Sequence, residues 1–562
     1  MVADRASQPH GDPCHDSGFR SRRQAHHLRQ NAGRAERPTL CGQRLRAGRG
    51  GCAGIVTVCG GSIRIGIAAA VSVDAGRHGC PCFGAVNSGR PYTPANVHLR
   101  PSARNYPTGC ARSKPQRIAG RHHARCGGDE SQFEDQQEHV VEWSGLLYKC
   151  ANTTFTHKLA KLDLYTPLDM RAPGGALGLY AIESAMDELS YELGMDPLEL
   201  RLKNYSNKDQ NEGKRYSSKK LRECYRQGAE KFGWADRKSE PRSMRAGDEL
   251  MGWGMATGIW EAMQEKASAK ALLTEDGKLE ISSATADIGP GTYTIMTQIA
   301  AETLGLPIDA VTARLGDSSL PEAPVQGGSF TAASVGSAVY KACTEVAKRA
   351  FALARKVEGS PLAGAKFKDV MFADAQIRLA ADHTRAVSLR DALKRGKVAY
   401  IQKEASAEPR DDDRFSKYIH SAIFVEVRVD EELGVIRVTR VVNAVAAGRI
   451  LNPKTARSQV LGGVVWGIGM ALHEETLTDH NLRRFVNANL GEYHVPVNAD
   501  IQAIDIIFVE EIDKRVNPLG VKGVGEIGVV GTAAAIANAI FHATGTRVRD
   551  LPITLDKLLV AS

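Results

Sequence analysis

Residues 181–203 read AIESAMDELSYELGMDPLELRLK. Ile182, Ala185, Met186, Leu189 and Leu193 recur at helical spacing, which places them along one face. Asp196-Pro197 then supplies an N-cap and a first-turn proline, so a second helix carrying Leu198, Leu200 and Leu202 begins there. Downstream the apolar period falls to 2. Residues 269–283 alternate about a turn at Asp276-Gly277, and residues 424–442 about a turn near Leu433-Gly434, as two antiparallel hairpins. Helices mixed with antiparallel ribbons predict an α+β fold.

Upstream of residue 129 the sequence is of another kind. The chain has 562 residues, enough for several domains, and its net charge of +9 conceals an asymmetry. Residues 1–128 hold nineteen Arg and one Lys (Lys114) against five acids, leaving the remainder net acidic. The same segment holds eight of the eleven Cys but only four Leu, and no window sustains an apolar period. The expectation is a segment without a packed core, disordered. Its Arg excess raises the possibility of a nucleic-acid-binding arm and its Cys and His that of zinc ligands, but no C-x-x-C pair occurs, and neither partner is predicted.

Much Arg and little Lys, with abundant Gly, Ala, Pro, Cys and His, is what GC-rich DNA yields when translated out of frame. Moving one nucleotide forward permits NPMETHAT over residues 8–16, FVGG and FGSG over 58–67, and MFTS over 96–100. The expected organisation is therefore an out-of-frame start returning to the coding frame near residues 127–130. Residues 129–245 would complete a first domain and 246–562 would form a second. No run approaches the roughly 18 apolar residues of a membrane span, and the N-terminus lacks the order of a signal peptide. A soluble, cytoplasmic protein is expected, periplasmic only if exported with a signal-bearing partner.

Glycine-rich loops punctuate the legible part: RAPGG at 171–175, DIGPG at 287–291, QGGS at 326–329 and GVKGVGE at 520–526. Glycine lets backbone N–H groups approach an anion closely, so such loops can cradle phosphates or a charged cofactor. Each alone is most often an ordinary turn.

Four longer strings carry a family resemblance: DMRAPGGALGLYAIESAMDELSYELGMDPLELRLKNY at 169–205, GGSFTAASVGSA at 327–338, GRILNPKTARSQVLGGVVWGIGMALHEE at 448–475 and GVKGVGEIGVVGTAAAIANAIFHATGTRVRDLPIT at 520–554. In this order they resemble signatures of the molybdopterin-binding subunit of xanthine dehydrogenase/aldehyde oxidase-type hydroxylases, above all the bacterial aldehyde-oxidising branch. The resemblance implies the C-terminal, molybdenum-binding domains of that large subunit. It also implies oxidation of an aldehyde to a carboxylic acid, or hydroxylation of an N-heterocycle such as xanthine, with water as oxygen source. Glu526 matches the carboxylate that takes a proton as general base. A Glu between a glycine-rich loop and a helix is otherwise a first-turn residue facing the helix dipole.

By the same resemblance, Arg449, Ile450, Leu451, Asn452, Pro453, Lys454, Thr455, Gln459, Lys522, Gly523, Val524 and Gly525 contact the dinucleotide part of a molybdopterin cytosine dinucleotide. Arg171, Gly289, Pro290, Gly291, Ala332 and Ala333 line its metal and pterin side, and no protein atom ligates molybdenum directly. Pro290 departs from the Gln or Thr common there, and residues 261–264 lack the arginine that aldehyde-oxidising relatives often place in the substrate pocket. The legible sequence has neither an iron–sulfur cysteine spacing nor a flavin fingerprint. Electrons must then leave through other chains, which the resemblance implies are a [2Fe–2S] subunit and an FAD subunit. The alternative reading is a frame-disrupted relic without activity.

Overall fold

The structure is a computed structural model that describes Val140, residues 142–151, Thr153 and residues 169–559 apart from 411, 480 and 483. Before these it describes only the backbones of three strands, Ile55–Cys59, Ser62–Gly66 and Asn96–Leu99, paired antiparallel in that order. The rest of 1–128, with the expectation of disorder attached to it, lies outside the described residues.

The helix read from residues 181–193 runs over Gly175–Glu192, starting at Gly174 with φ 68°. It buries more than the predicted face: Glu183 is fully buried and accepts from Arg201 at 2.8 Å and from the Thr257 N–H at 2.7 Å. An ion pair this deep survives because hydrogen bonds occupy its remaining acceptor sites. The next helix, Pro197–Lys203, starts where the sequence places it, with Asp196 Oδ1 accepting from the Leu198 and Glu199 N–H groups.

Both predicted hairpins form. Ala267–Thr274 turns at Gly277 into Leu279–Ser283, and Tyr418–Val429 turns at Gly434 into Ile436–Ala446. Each grows into a mixed sheet. The first lies in the four-stranded order Tyr400–Ala407, Ala267–Thr274, Leu279–Ser283, Val311–Leu315, the last pair parallel. The second lies in the five-stranded order Ala503–Phe508, Ile436–Ala446, Tyr418–Val429, Glu249–Glu261, Arg245–Ala246, the first pair parallel. Thus the α+β expectation holds. No helix among the described residues is long and apolar enough to cross a membrane.

Glu249–Glu261, sequence ELMGWGMATGIWE, is buried almost throughout, so it shows no alternation. Its glycines admit the helix Thr532–Thr544: a Cβ on Gly252 would lie 1.9 Å from the Ala539 carbonyl, and one on Gly254 2.2 Å from the Ala539 nitrogen. Backbone thus packs directly on backbone.

One core gathers the four-stranded sheet with helices Thr292–Leu304 and Thr331–Ala354. The five-stranded sheet carries two more core clusters, with Gly175–Glu192, Leu221–Phe232 and Thr532–Thr544 packed around it. The segment that follows Val516 crosses between them. Leu519 and Val521 sit in the first core, while Ile527, Val529 and Val530 sit in the second. Each such side chain contributes roughly 1.5–3 kcal/mol on burial. Residues 522–526 are therefore pinned at both ends, at the seam between the two sheets.

Candidate active site

Glu526 lies in a run of turns after the glycine loop, and the following helix begins only at Thr532, after Gly531 with φ 86°. It is therefore no first-turn residue facing the helix dipole. That helix ends at Gly545, which caps it in the left-handed conformation with φ 76°.

The carboxylate is partly buried and held by groups from two other loops. The Ala172 N–H donates to Oε1 at 3.1 Å and the Ser329 hydroxyl to Oε2 at 2.9 Å. Arg171 bridges the neighbouring backbone, donating to the Gly525 carbonyl and, at 2.7 Å, to the Gln459 carbonyl. It also lies 5.7 Å from the Trp466 ring centre. Burial raises the pKa of Glu526 above the ordinary carboxylate value, against the opposing pull of the Ala172 N–H, Ser329, Trp260 and Arg171. A carboxyl tuned upward without a dedicated counter-ion is suited to proton transfer near neutral pH.

Of the sequence-predicted residues, Arg171, Gly525 and Gln459 lie next to this carboxylate, and others are tied to one another or to their surroundings. A Cβ on Gly291 would lie 2.9 Å from the Thr455 side chain, so the 287–291 and 449–455 loops touch. Asn452 caps the helix Pro453–Leu472 through the Lys454 and Thr455 N–H groups and reaches Gln298 at 3.2 Å. Arg449 pairs with Glu302 at 2.7 Å at the surface, and Ile450 and Leu451 pack on the cores. Ala333 is fully buried, and the first backbone bond of its helix runs from the Ser334 N–H to the Phe330 carbonyl. The first-turn N–H groups, those of Ala332 and Ala333 among them, have no acceptor within the helix.

Three residues have their polar groups engaged within the chain. The Gly289 and Gly291 N–H groups donate to Asp287 Oδ1 at 2.9 and 3.3 Å, so this loop offers shape around Pro290 while its amides are engaged. Lys522 is held in a buried ion cluster. Its ammonium is fully buried, 3.3 Å from both Glu511 and Asp513, and donates to Ser218 at 2.6 Å and the Tyr418 carbonyl at 2.9 Å. Burial works to raise the Asp513 pKa, but Lys522, Ser217 and Ser218 take it below the ordinary value.

Sequence reasoning missed Ala172, Ser329 and Trp260. Ser329 stood in a loop singled out only for its glycines, and nothing local marks a backbone N–H such as that of Ala172. Two clefts lie elsewhere: one of about 500 Å³ beside Arg410, Arg414 and Arg515, and one of about 180 Å³ beside Glu261, Met263 and Lys417. Glu526 lines neither.

Residues 116–205 and 227–502 each match a molybdopterin cofactor-binding domain family. The aldehyde oxidoreductase molybdenum-binding subunit PaoC of Escherichia coli (strain K12) is 42% identical over 423 residues, covering 75% of this chain and 56% of PaoC. This chain belongs to the xanthine dehydrogenase/aldehyde oxidoreductase family of molybdenum-binding subunits. The putative xanthine dehydrogenase molybdenum-binding subunit XdhA of the same organism is 29% identical over 442 residues, 73% of this chain and 56% of XdhA. The chain thus spans a little over half the length of these family members. Among solved structures, quinoline 2-oxidoreductase from Pseudomonas putida 86 shares the fold, with a TM-score of 0.67 at 19% identity over 83% of this chain and 59% of its own. Aldehyde oxidoreductase from Desulfovibrio gigas superposes with a TM-score of 0.57 at 25% identity, over 70% and 41%.

The helix that begins two residues after Ser329 fits an anionic pterin. First-turn amides at Ala332 and Ala333 without an acceptor in their own helix, the exposed Lys454, and open space at Gly289, where an added Cβ would meet nothing within 4 Å, leave room and positive potential for it.

Proposed function

We propose that this chain is the molybdenum-hydroxylase part of an aldehyde-oxidising enzyme, with Glu526 as the general base. One observation carries the reading: in a chain of a molybdopterin-binding family, a partly buried carboxylate, raised in pKa, lies where three glycine-rich loops meet, its own and the two that orient it. The cofactor, when bound, supplies the metal and the two-electron redox chemistry. The chain's own residues position and move a proton. Glu526 accepts it at whichever oxygen faces the substrate side, and Arg171 fixes the Gly525 and Gln459 backbones so that the carboxylate stays aimed.

Arg449, Asn452, Lys454, Thr455, Gln459, Val524 and Gly525 would hold the dinucleotide end, and Ala332 and Ala333 the pterin side. A cytosine dinucleotide is the form implied by the resemblance of the sequence motifs, and the likeness to an aldehyde oxidoreductase subunit favours an aldehyde over an N-heterocycle. Electrons would pass to a [2Fe–2S] subunit and an FAD subunit, in keeping with relatives named as subunits. Residues 129–245 and 246–562 would then be the remainder of a first and the whole of a second molybdopterin-binding domain.

The test is production of the full chain with its cognate partner subunits, followed by assays of bound molybdenum, nucleotide released by acid, and oxidation of aldehydes against heterocycles. Stoichiometric metal, released CMP and preferred aldehyde turnover are expected. A chain that takes up no molybdenum would overturn the reading and favour a frame-disrupted, inactive subunit.

A further inference from the structure

Ala172 and Ser329 are two of the six described non-glycine residues with positive φ, at 58° and 61°. A residue with a Cβ is strained there and persists in that state only where its surroundings over-determine it. These two meet at one point, since the Ala172 N–H and the Ser329 hydroxyl occupy opposite oxygens of Glu526.

The glycines of the 520–526 loop answer to the same contact. A Cβ on Gly523 would fall 1.5 Å from the Ser329 carbonyl oxygen, and one on Gly525 would crowd the Ser329 hydroxyl at 3.2 Å. Gly523 is thus needed for the Ser329 backbone to approach, whereas a side chain on Gly525 would push the Ser329 hydroxyl by a few tenths of an ångström. We propose that Ser329 is the positioning residue that orients Glu526 and sets its basicity, and that Gly523 is glycine to admit it. The inference rests on Glu526 being the base. Among the described residues, the groups facing that carboxylate are Arg171, the Trp260 indole, the Ala172 N–H and Ser329 itself, so Arg171 is the charged group among them.

An ionised carboxylate gains more from a donor than its neutral form does, so losing the Ser329 hydroxyl must raise the Glu526 pKa. The test uses the full chain and needs no turnover. The Glu526 carboxylate band is isolated by infrared difference against E526Q and titrated in the wild type, S329G and S329A. S329G removes the hydroxyl and relieves the positive φ, whereas S329A removes it and keeps the strain. Both midpoints should rise by roughly one pH unit, while the two variants differ in Tm. A172G, which keeps its N–H, should leave the midpoint unmoved. With partner subunits present, the acidic limb of kcat/KM should shift by the same amount. An unchanged midpoint in S329G and S329A overturns the inference even if E526Q is inactive, whereas full turnover by E526Q would instead overturn the role of Glu526 as base.

Discussion

Two groups of carboxylates flank one short loop, and the protein treats them oppositely. On one side of residues 522–526, Glu511 and Asp513 are buried against the fully buried Lys522, with hydroxyls and backbone closing the cluster. On the other side Glu526 receives only neutral donors directly, and its nearest cation, Arg171, donates to carbonyls. Asp513 is lowered in pKa and Glu526 raised. A compensated cluster anchors the loop; an under-compensated carboxylate beside it keeps a proton affinity available for chemistry. The resemblance assigned Lys522 to the cofactor, but its chemistry is that of the anchor.

The largest expected effect breaks the anchor. K522M leaves two buried carboxylates without their cation, and truncating one partner of a buried pair costs about 3–5 kcal/mol. Denaturant unfolding should show this loss, and a variant as stable as the wild type would remove the anchor from the account. A smaller loss is expected for G523A, whose new Cβ must push the Ser329 backbone away; overpacking of this kind costs about 1–3 kcal/mol. Its stability should fall together with the Ser329 contact to Glu526.

The two sides should also differ in the sign of their pH dependence. A raised folded pKa contributes stability that is present below the unfolded value and lost as pH rises through the folded one. E526Q should therefore gain on the wild type as pH rises out of the ordinary carboxylate range. Asp513, depressed, contributes above its unfolded value and loses that contribution as pH falls, so the margin of the wild type over D513N should shrink toward acid. Parallel pH trends for the two variants would contradict the contrast. The smallest stability effect belongs to R449A, whose pair with Glu302 is largely exposed and worth at most about 1 kcal/mol. Its loss should appear in retained cofactor instead.

Where local chemistry decides, the sequence was legible. Asp196-Pro197, Asp276-Gly277 and Gly434 start or turn their elements as their side chains or φ require. Glu249–Glu261 was not legible as a strand, because Gly252 and Gly254 serve contact with another helix and its burial on both faces erases the alternation. The candidate site divides in the same way. Glu526 was found through its motif, whereas Ala172 and Ser329 reach it across 354 and 197 residues and act through backbone states that only tertiary packing imposes. The direction of Lys522 was likewise fixed by Glu511 and Asp513, which no motif had marked.

The most direct measurement is turnover per bound molybdenum in E526Q, assembled with its partner subunits. Gln preserves size and hydrogen-bonding reach but cannot take the proton, so the rate should fall by about 10²–10⁴-fold with metal content unchanged. Wild-type turnover by E526Q at full molybdenum occupancy would contradict the claim that this carboxylate is the base.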